Sequence, residues 1–211
     1  MISIWIEQID SRWFGAALHE SALVATAAAS SREAVQRAIV RALPAEAPRC
    51  FLEPATEEAR HVVRMLAELE KGDESGKRLA LSSEYVREPL LSVLNVAAAI
   101  PLGYVGTYGS IAKAAHTDAQ TVGRIMATNP LYPVVACHRV VGSGFSLVGY
   151  GGSTKTEALK AKLDRLRAEK RGFTDSTTLE AAGGLEVAPV EWAISRAEKD
   201  GVAAARQLQL W

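Results

Sequence analysis

Residues 107–141 read TYGSIAKAAHTDAQTVGRIMATNPLYPVVACHRVV. Thr107 is placed to cap a short helix from Tyr108 to Ala115. Thr117 is placed to cap another from Asp118 to about Thr128, which Asn129-Pro130 ends. Two short helices joined by a tight polar turn form a helix-turn-helix pattern. A β-branched run then leads to Cys137, with His138 and Arg139 directly after it. A thiol becomes a strong nucleophile as the thiolate, and an adjacent imidazole or guanidinium favours that charged form. The ordinary alternative for a free cysteine is burial as a small apolar side chain.

On the N-terminal side, Ile2 to Ile6 alternates apolar and polar residues as a strand does, and Arg12 to His19 and Ser21 to Ala28 continue a meander. Ser31 is a good N-cap for a helix carrying Ala34, Ala38, Ile39 and Ala42, which Pro44 stops. A strand is expected near Cys50 to Leu52, and Pro54-Ala-Thr56 opens a helix bearing Val62, Met65, Leu66 and Leu69. Gly72 to Gly76 is a polar break, so residues 1–80 read as a small α/β domain. Ser83 to Ile100 reads as a helix that Pro89 kinks or delays. Beyond Cys137, residues 142–152 hold five glycines, and Thr154 caps a basic helix to about Lys170. The tail from Gly172 is linker-like before a helix from about Val190 to Leu210, whose Trp192, together with Trp211, suggests docking.

Composition excludes several classes. The chain has 211 residues, 48% hydrophobic and 23% charged, which is globular rather than disordered. Two cysteines, Cys50 and Cys137, cannot build a disulfide scaffold and lack zinc-ligand spacing. The start Met1 to Glu7 lacks the pattern of a signal peptide, and Val96 to Ile100 is too short to span a bilayer. A soluble, cytoplasmic monomer with no membrane association is expected. Net charge is zero, yet residues 101–171 hold 10 Lys/Arg against 4 Asp/Glu. That +6 surrounds Cys137 and suits a polyanionic partner, although Lys155 to Arg171 supplies seven of the cations and reads equally as a solvated helix.

The ordered blocks Ile100 to Ala112, Val122-Gly123, Asn129-Pro130, Cys137-His-Arg-Val-Val141 and Gly149-Tyr-Gly-Gly152 resemble the O6-alkylguanine-DNA alkyltransferases, the methylated-DNA–protein-cysteine methyltransferases. The resemblance covers residues 83–165, and the tail 172–211 lies outside it. It implies an α/β, RNase H-like N-terminal domain over 1–80. It also implies a mainly α, winged-helix-like domain with a helix-turn-helix over 83–171. The implied activity is DNA repair: the protein flips an alkylated guanine out of double-stranded DNA and moves the alkyl group irreversibly from O6 to Cys137, once per molecule and without a cofactor or metal. It further implies His138 as base through a water, Tyr108 as donor to the base N3, and Asn129 as hinge. Val140, Tyr150, Gly151 and Gly152 would form the substrate pocket, and Thr107, Gln120, Gly123, Arg124 and Arg139 would meet DNA. A second reading is an alkyltransferase-like protein that flips and flags damage without transfer. Those proteins replace the cysteine, so Cys137 favours the enzyme.

Some positions depart from the family pattern. Ala136 stands where proline is usual before the cysteine, and Gln120 where an arginine fills the flipped-base gap, with Arg124 as a substitute. The family's histidine-orienting glutamate falls on Asp164 by ungapped counting from Cys137, or on Leu163 after a one-residue shift. Asp164 also sits among cations that suit a surface ion pair. Lys155 is the expected match for the family lysine.

Overall fold

A computed structural model describes residues 1–74 and 80–202, which divide into two compact units. The first comprises Met1–Leu91 with Pro130–Val135, and the second Ser92–Asn129 with Ala136–Trp211. Of the expected elements, the end of the 72–76 break and the 203–211 stretch, including Trp211, lie partly or wholly outside the described residues.

In the first unit, β1 (Ile2–Ile9), β2 (Arg12–His19) and β3 (Ala22–Ala29) form an antiparallel meander. Helix α1 (Arg32–Ala42) follows, and Ser31 caps it by accepting from the Ala34 N–H. β4 (Arg49–Phe51) then pairs parallel to β1, giving the order β3-β2-β1-β4. Ile2, Ile4 and Ile6 point to one face, as the two-residue period of a strand requires, and pack with Val35 and Ile39 of α1. Gly15 permits this approach: a Cβ there would lie 2.6 Å from Val35 Cγ1 and 2.7 Å from Ile39 Cδ1. Helix α2 (Glu57–Glu70), capped by Thr56, packs on β1 and β2.

Pro130–Val135, the stretch directly before Ala136-Cys137, is held by this unit. The Thr26 N–H donates to Pro130 O at 2.8 Å and its hydroxyl to Tyr132 O at 2.9 Å. Tyr132 OH and Arg12 Nη2 both donate to Glu70 Oε1, at 2.8 and 2.7 Å, and Leu131 is fully buried.

Helix α3, most of which belongs to the second unit, is Leu90–Ala98 rather than a helix from Ser83. Pro89 lacks the N–H a helix interior needs and disfavours helix in the residue before it, so residues 83–88 remain turn. β5 (Tyr104–Thr107) leads into α4 (Tyr108–Ala114) and α5 (Ala119–Ala127), the expected helix-turn-helix. Thr107 caps α4 in a reciprocal capping box with Ser110. Asp118, not Thr117, caps α5, with its carboxylate accepting from the Thr121 N–H at 2.8 Å. β6 (Val140–Val141) pairs parallel to β5, and α6 spans Thr156–Ala168 without the expected Thr154 cap.

The tail is not a linker. β7 (Thr177–Leu179) and β8 (Leu185–Pro189) form a hairpin, and β8 pairs antiparallel with β5, giving the order β6-β5-β8-β7. The alternation Leu185 in, Glu186 out, Val187 in is the strand signal that the surrounding glycines obscured. Helix α7 (Val190–Lys199) then buries Val190, Ala193, Ile194 and Ala197 against Leu163 and Leu166 of α6. Among the described residues no helix is long and apolar enough to cross a membrane.

Candidate active site

Cys137 opens a single 3-10 turn, Cys137–Arg139, between the Pro130–Val135 segment and β6. It lines a cavity of about 480 Å³ together with Tyr108 of α4, Gln120 and Gly123 of α5, and Tyr150, Gly151 and Gly152 of the glycine-rich loop. The cavity is mostly apolar in its lining, and its size suits a single heterocycle rather than a polymer. Seven of the residues singled out from sequence therefore meet on one wall or another of the same space.

The side chains behind Cys137 form a connected polar chain. His138 is buried, and its Nε2 lies 2.6 Å from Glu169 Oε1. Glu169 also accepts from Arg139, whose Nε reaches Oε2 at 2.8 Å and whose Nη2 reaches Oε1 at 2.9 Å. The remaining arm of Arg139 donates from Nη1 to Ile100 O at 2.8 Å. Planar guanidinium and carboxylate meet fork to fork, the strongest geometry available to such a pair. His138 Nδ1 is buried and has no hydrogen-bond partner among the described residues.

These environments set the proton positions. Burial pushes the Cys137 thiol above its ordinary value of 9.0, only partly opposed by a hydrogen bond from the Asn129 side chain and by the charges of Lys162 and Arg165. Burial pulls His138 below 6.5 more than the Glu169 carboxylate raises it, so the imidazole is neutral and able to accept a proton. Burial alone would raise Glu169, but the hydrogen bonds from His138 and Arg139 outweigh it and bring the carboxyl to about 2. Tyr108 is raised above 10.0 by burial and then by the charge of Cys137, so it keeps its proton. The resting site thus holds a thiol and, next to it in sequence, a neutral base, with a protonated phenol lining the same cavity as the thiol. Labelling of Cys137 by iodoacetamide is expected to be slow at pH 7 and to climb as the pH passes 9. Fast labelling that levels off below pH 7 would instead show a preformed thiolate.

Several expectations change. Asp164 does not orient His138: its side chain is 63% exposed and lies 3.8 Å from Arg167 as a surface pair. Glu169, 31 residues after His138, makes that contact instead, at 2.6 Å. Leu163 is core. Arg139 does not reach outward to DNA, being 3% exposed and bound to Glu169. The cations whose charges act on the sulfur are Lys162 and Arg165, and Lys162 is fully buried, donating from Nζ to Val140 O at 2.5 Å and to Gly149 O at 2.9 Å. Burial lowers its pKa to about 8. Lys155 is exposed, so it is not the site lysine. Val140 does not line the cavity, and its carbonyl is already engaged by Lys162. The Thr107 hydroxyl serves the α4 cap, away from the cavity. Arg124 is exposed on α5 with Nη2 on Thr121 Oγ1 at 2.9 Å, outside the cavity lining that includes Gln120.

Lys162 and Glu169 were missed by sequence reasoning. They sit seven residues apart and share a helical face with Leu159, Leu163 and Leu166. A cation and an acid on an apolar stripe were the readable signal, since such residues are rarely buried unless paired.

Residues 90–171 match the family model described as 6-O-methylguanine DNA methyltransferase, DNA binding domain. Over those residues the chain is similar to that family. The methylated-DNA–protein-cysteine methyltransferase of Pyrobaculum aerophilum is 48% identical over 58 residues, 28% of this chain and 39% of that protein. The Mycobacterium leprae protein of the same name is 40% identical over 82 residues, 38% of this chain and 47% of its own length. The chain thus spans less than half the length of these curated relatives. In fold, the Mycobacterium tuberculosis OGT solved in complex with DNA has a TM-score of 0.56 at 23% identity, covering 80% of this chain and 92% of that one. The O6-methylguanine-DNA methyltransferase of Pyrococcus kodakaraensis has a TM-score of 0.52, also at 23% identity, over 80% of this chain and 99% of that one. These likenesses establish an α/β two-unit fold. The matched segment contains Cys137, Glu169 and every residue of the cavity wall, whereas β7, β8 and α7 lie beyond it.

Proposed function

We propose that this protein repairs DNA by moving an alkyl group from O6 of a flipped guanine in a duplex to Cys137, once per molecule. The observation that carries the reading is the Cys137 sulfur on a heterocycle-sized cavity with a neutral His138, anchored by Glu169, next to it in sequence. His138 takes the thiol proton through a water at Nδ1, and the thiolate attacks the alkyl carbon. The carbon–oxygen bond breaks, and Tyr108 gives a proton or hydrogen bond to N3 of the departing purine. Glu169 holds the imidazole and stabilises the cation it becomes, in the way a carboxylate serves a triad histidine. Asn129, hydrogen-bonded to the sulfur, ties the end of α5 to the reacting atom.

The finer fold reading belongs to the same proposal. The meander with a fourth strand parallel to β1 supports an RNase H-like first unit, and the helix-turn-helix beside a small sheet supports a winged-helix-like second. Gln120 and Gly123 on α5 would then face the duplex and the flipped-base gap, with Arg124 on a phosphate. The protein acts as a cytoplasmic monomer on double-stranded DNA containing O6-alkylguanine.

Incubation with excess O6-methylguanine duplex tests this reading. Repaired guanine should accumulate to one per protein chain and stop. Continued turnover, or none, would overturn it. Tyr108→Phe is expected to slow the single turnover by about 10²-fold. An unchanged rate would remove Tyr108 from the mechanism.

A further inference from the structure

We infer that the C-terminal segment 172–199 is a positioning element for the substrate cavity, with Trp192 acting through Phe145 on the loop that forms one cavity wall. The inference rests on the alkyl-transfer reading and adds to it a part of the chain outside the matched family segment.

The loop between β6 and α6 has two sides. Val148, Gly149 and Tyr150 line the cavity. Phe145 and Leu147 instead join the apolar cluster built by Val190, Ala193, Ile194 and Ala197 of α7. Ser146 is extended, with φ −71° and ψ 148°, and the two residues after it meet different surroundings: Leu147 is 7% exposed within that cluster, and Val148 is 51% exposed at the cavity. The depth to which Leu147 seats in that cluster therefore sets where Val148 stands at the cavity.

Two further features show that this seat is specific. The Phe145 and Trp192 rings meet edge to face, with centroids 5.1 Å apart and planes at 78°. Phe145 also has a φ of 62°, a left-handed conformation that a bulky residue keeps only when its surroundings hold it. The loop is internally tight as well. The Gly142 N–H donates to Ser146 O at 2.8 Å, and a Cβ on Gly142 would lie 2.4 Å from Val148 Cγ2. A loop closed on itself in this way shifts as a body, so a change at Phe145 carries to Val148 and Tyr150. Neither Phe145 nor Trp192 lines the cavity, which makes both positioning residues.

The test uses the full chain with Trp192→Ala and Trp192→Phe. The alanine variant should raise amide hydrogen exchange within 143–149 by about tenfold while leaving α5 unchanged. It should slow transfer from O6-methylguanine at saturating duplex by about tenfold and leave duplex affinity within about twofold. It should also narrow the rate difference between O6-methyl and O6-benzyl substrates, because the wall that sorts them by size has loosened. Trp192→Phe, which keeps a ring against Phe145, should restore all three. The inference is overturned if exchange in 143–149 is unchanged, or if the alanine variant loses protection across the whole unit and phenylalanine does not rescue it. If the wild-type chain transfers nothing while exchange still rises only in the loop, the alkyl-transfer reading fails and the contact between α7 and the loop stands.

Discussion

Glu169→Ala is expected to slow alkyl transfer by about two orders of magnitude and to lower stability by about 3–5 kcal/mol. Both effects have one origin. The carboxylate holds His138 Nε2 at 2.6 Å and closes a fork with Arg139, whose guanidinium is 3% exposed. Removing the acid leaves that guanidinium buried without its counter-charge and frees the imidazole to turn. Asp164→Ala, on the exposed side of α6, should change stability by no more than about 0.5 kcal/mol. Chemical unfolding of both variants, beside single-turnover kinetics, checks the contrast. The pH dependence follows from the carboxyl being held at about 2 against an ordinary 4.5. Its contribution to stability is present in full above pH 4.5 and is lost as the pH falls toward about 2. The alanine variant should lack that acid-dependent loss.

Lys162→Met should slow transfer by about tenfold to a hundredfold and cost about 2 kcal/mol at pH 7. The methionine fills the space but leaves Val140 O and Gly149 O without their donor, at 2.5 and 2.9 Å in the native site. Those carbonyls fix the two ends of the cavity loop, and the ammonium is also a cation whose charge acts on the sulfur. The release of a buried charge offsets part of the cost. Burial holds Lys162 at about 8 against 10.5 in the open chain, so between those values the unfolded chain keeps a proton that the native state has released. Native stability therefore receives a rising contribution from pH 8 to 10.5, and the methionine variant should lose that rise. Urea midpoints measured across that range decide it.

Local signals carried the elements that the sequence made legible. The period of two in Ile2, Ile4 and Ile6 defines a strand, Ser31 and Thr56 cap helices through their own side chains, and Asn129-Pro130 ends α5. These depend on contacts three or four residues long, which a sequence displays directly. Glu169 depends on the length of an irregular loop, and no periodicity constrains that length. Asp164 was chosen by counting across it and fell on the solvent side of α6. Arg139 failed for another reason. Its position beside Cys137 suggested an outward cation, but a side chain that long can fold back to meet an acid 30 residues away. β8 was hidden because only three alternating residues separate Gly184 from Ala188-Pro189, and its pairing partner, β5, lies far upstream.

All of this chemistry converges on one sulfur atom. Intact mass spectrometry after reaction with an O6-methylguanine duplex measures its fate directly. The predicted result is a gain of one methyl group per chain, carried by the peptide containing Cys137 and absent in Cys137→Ala. A chain that binds the duplex tightly but keeps its mass, or carries the added group on any other residue, would contradict it.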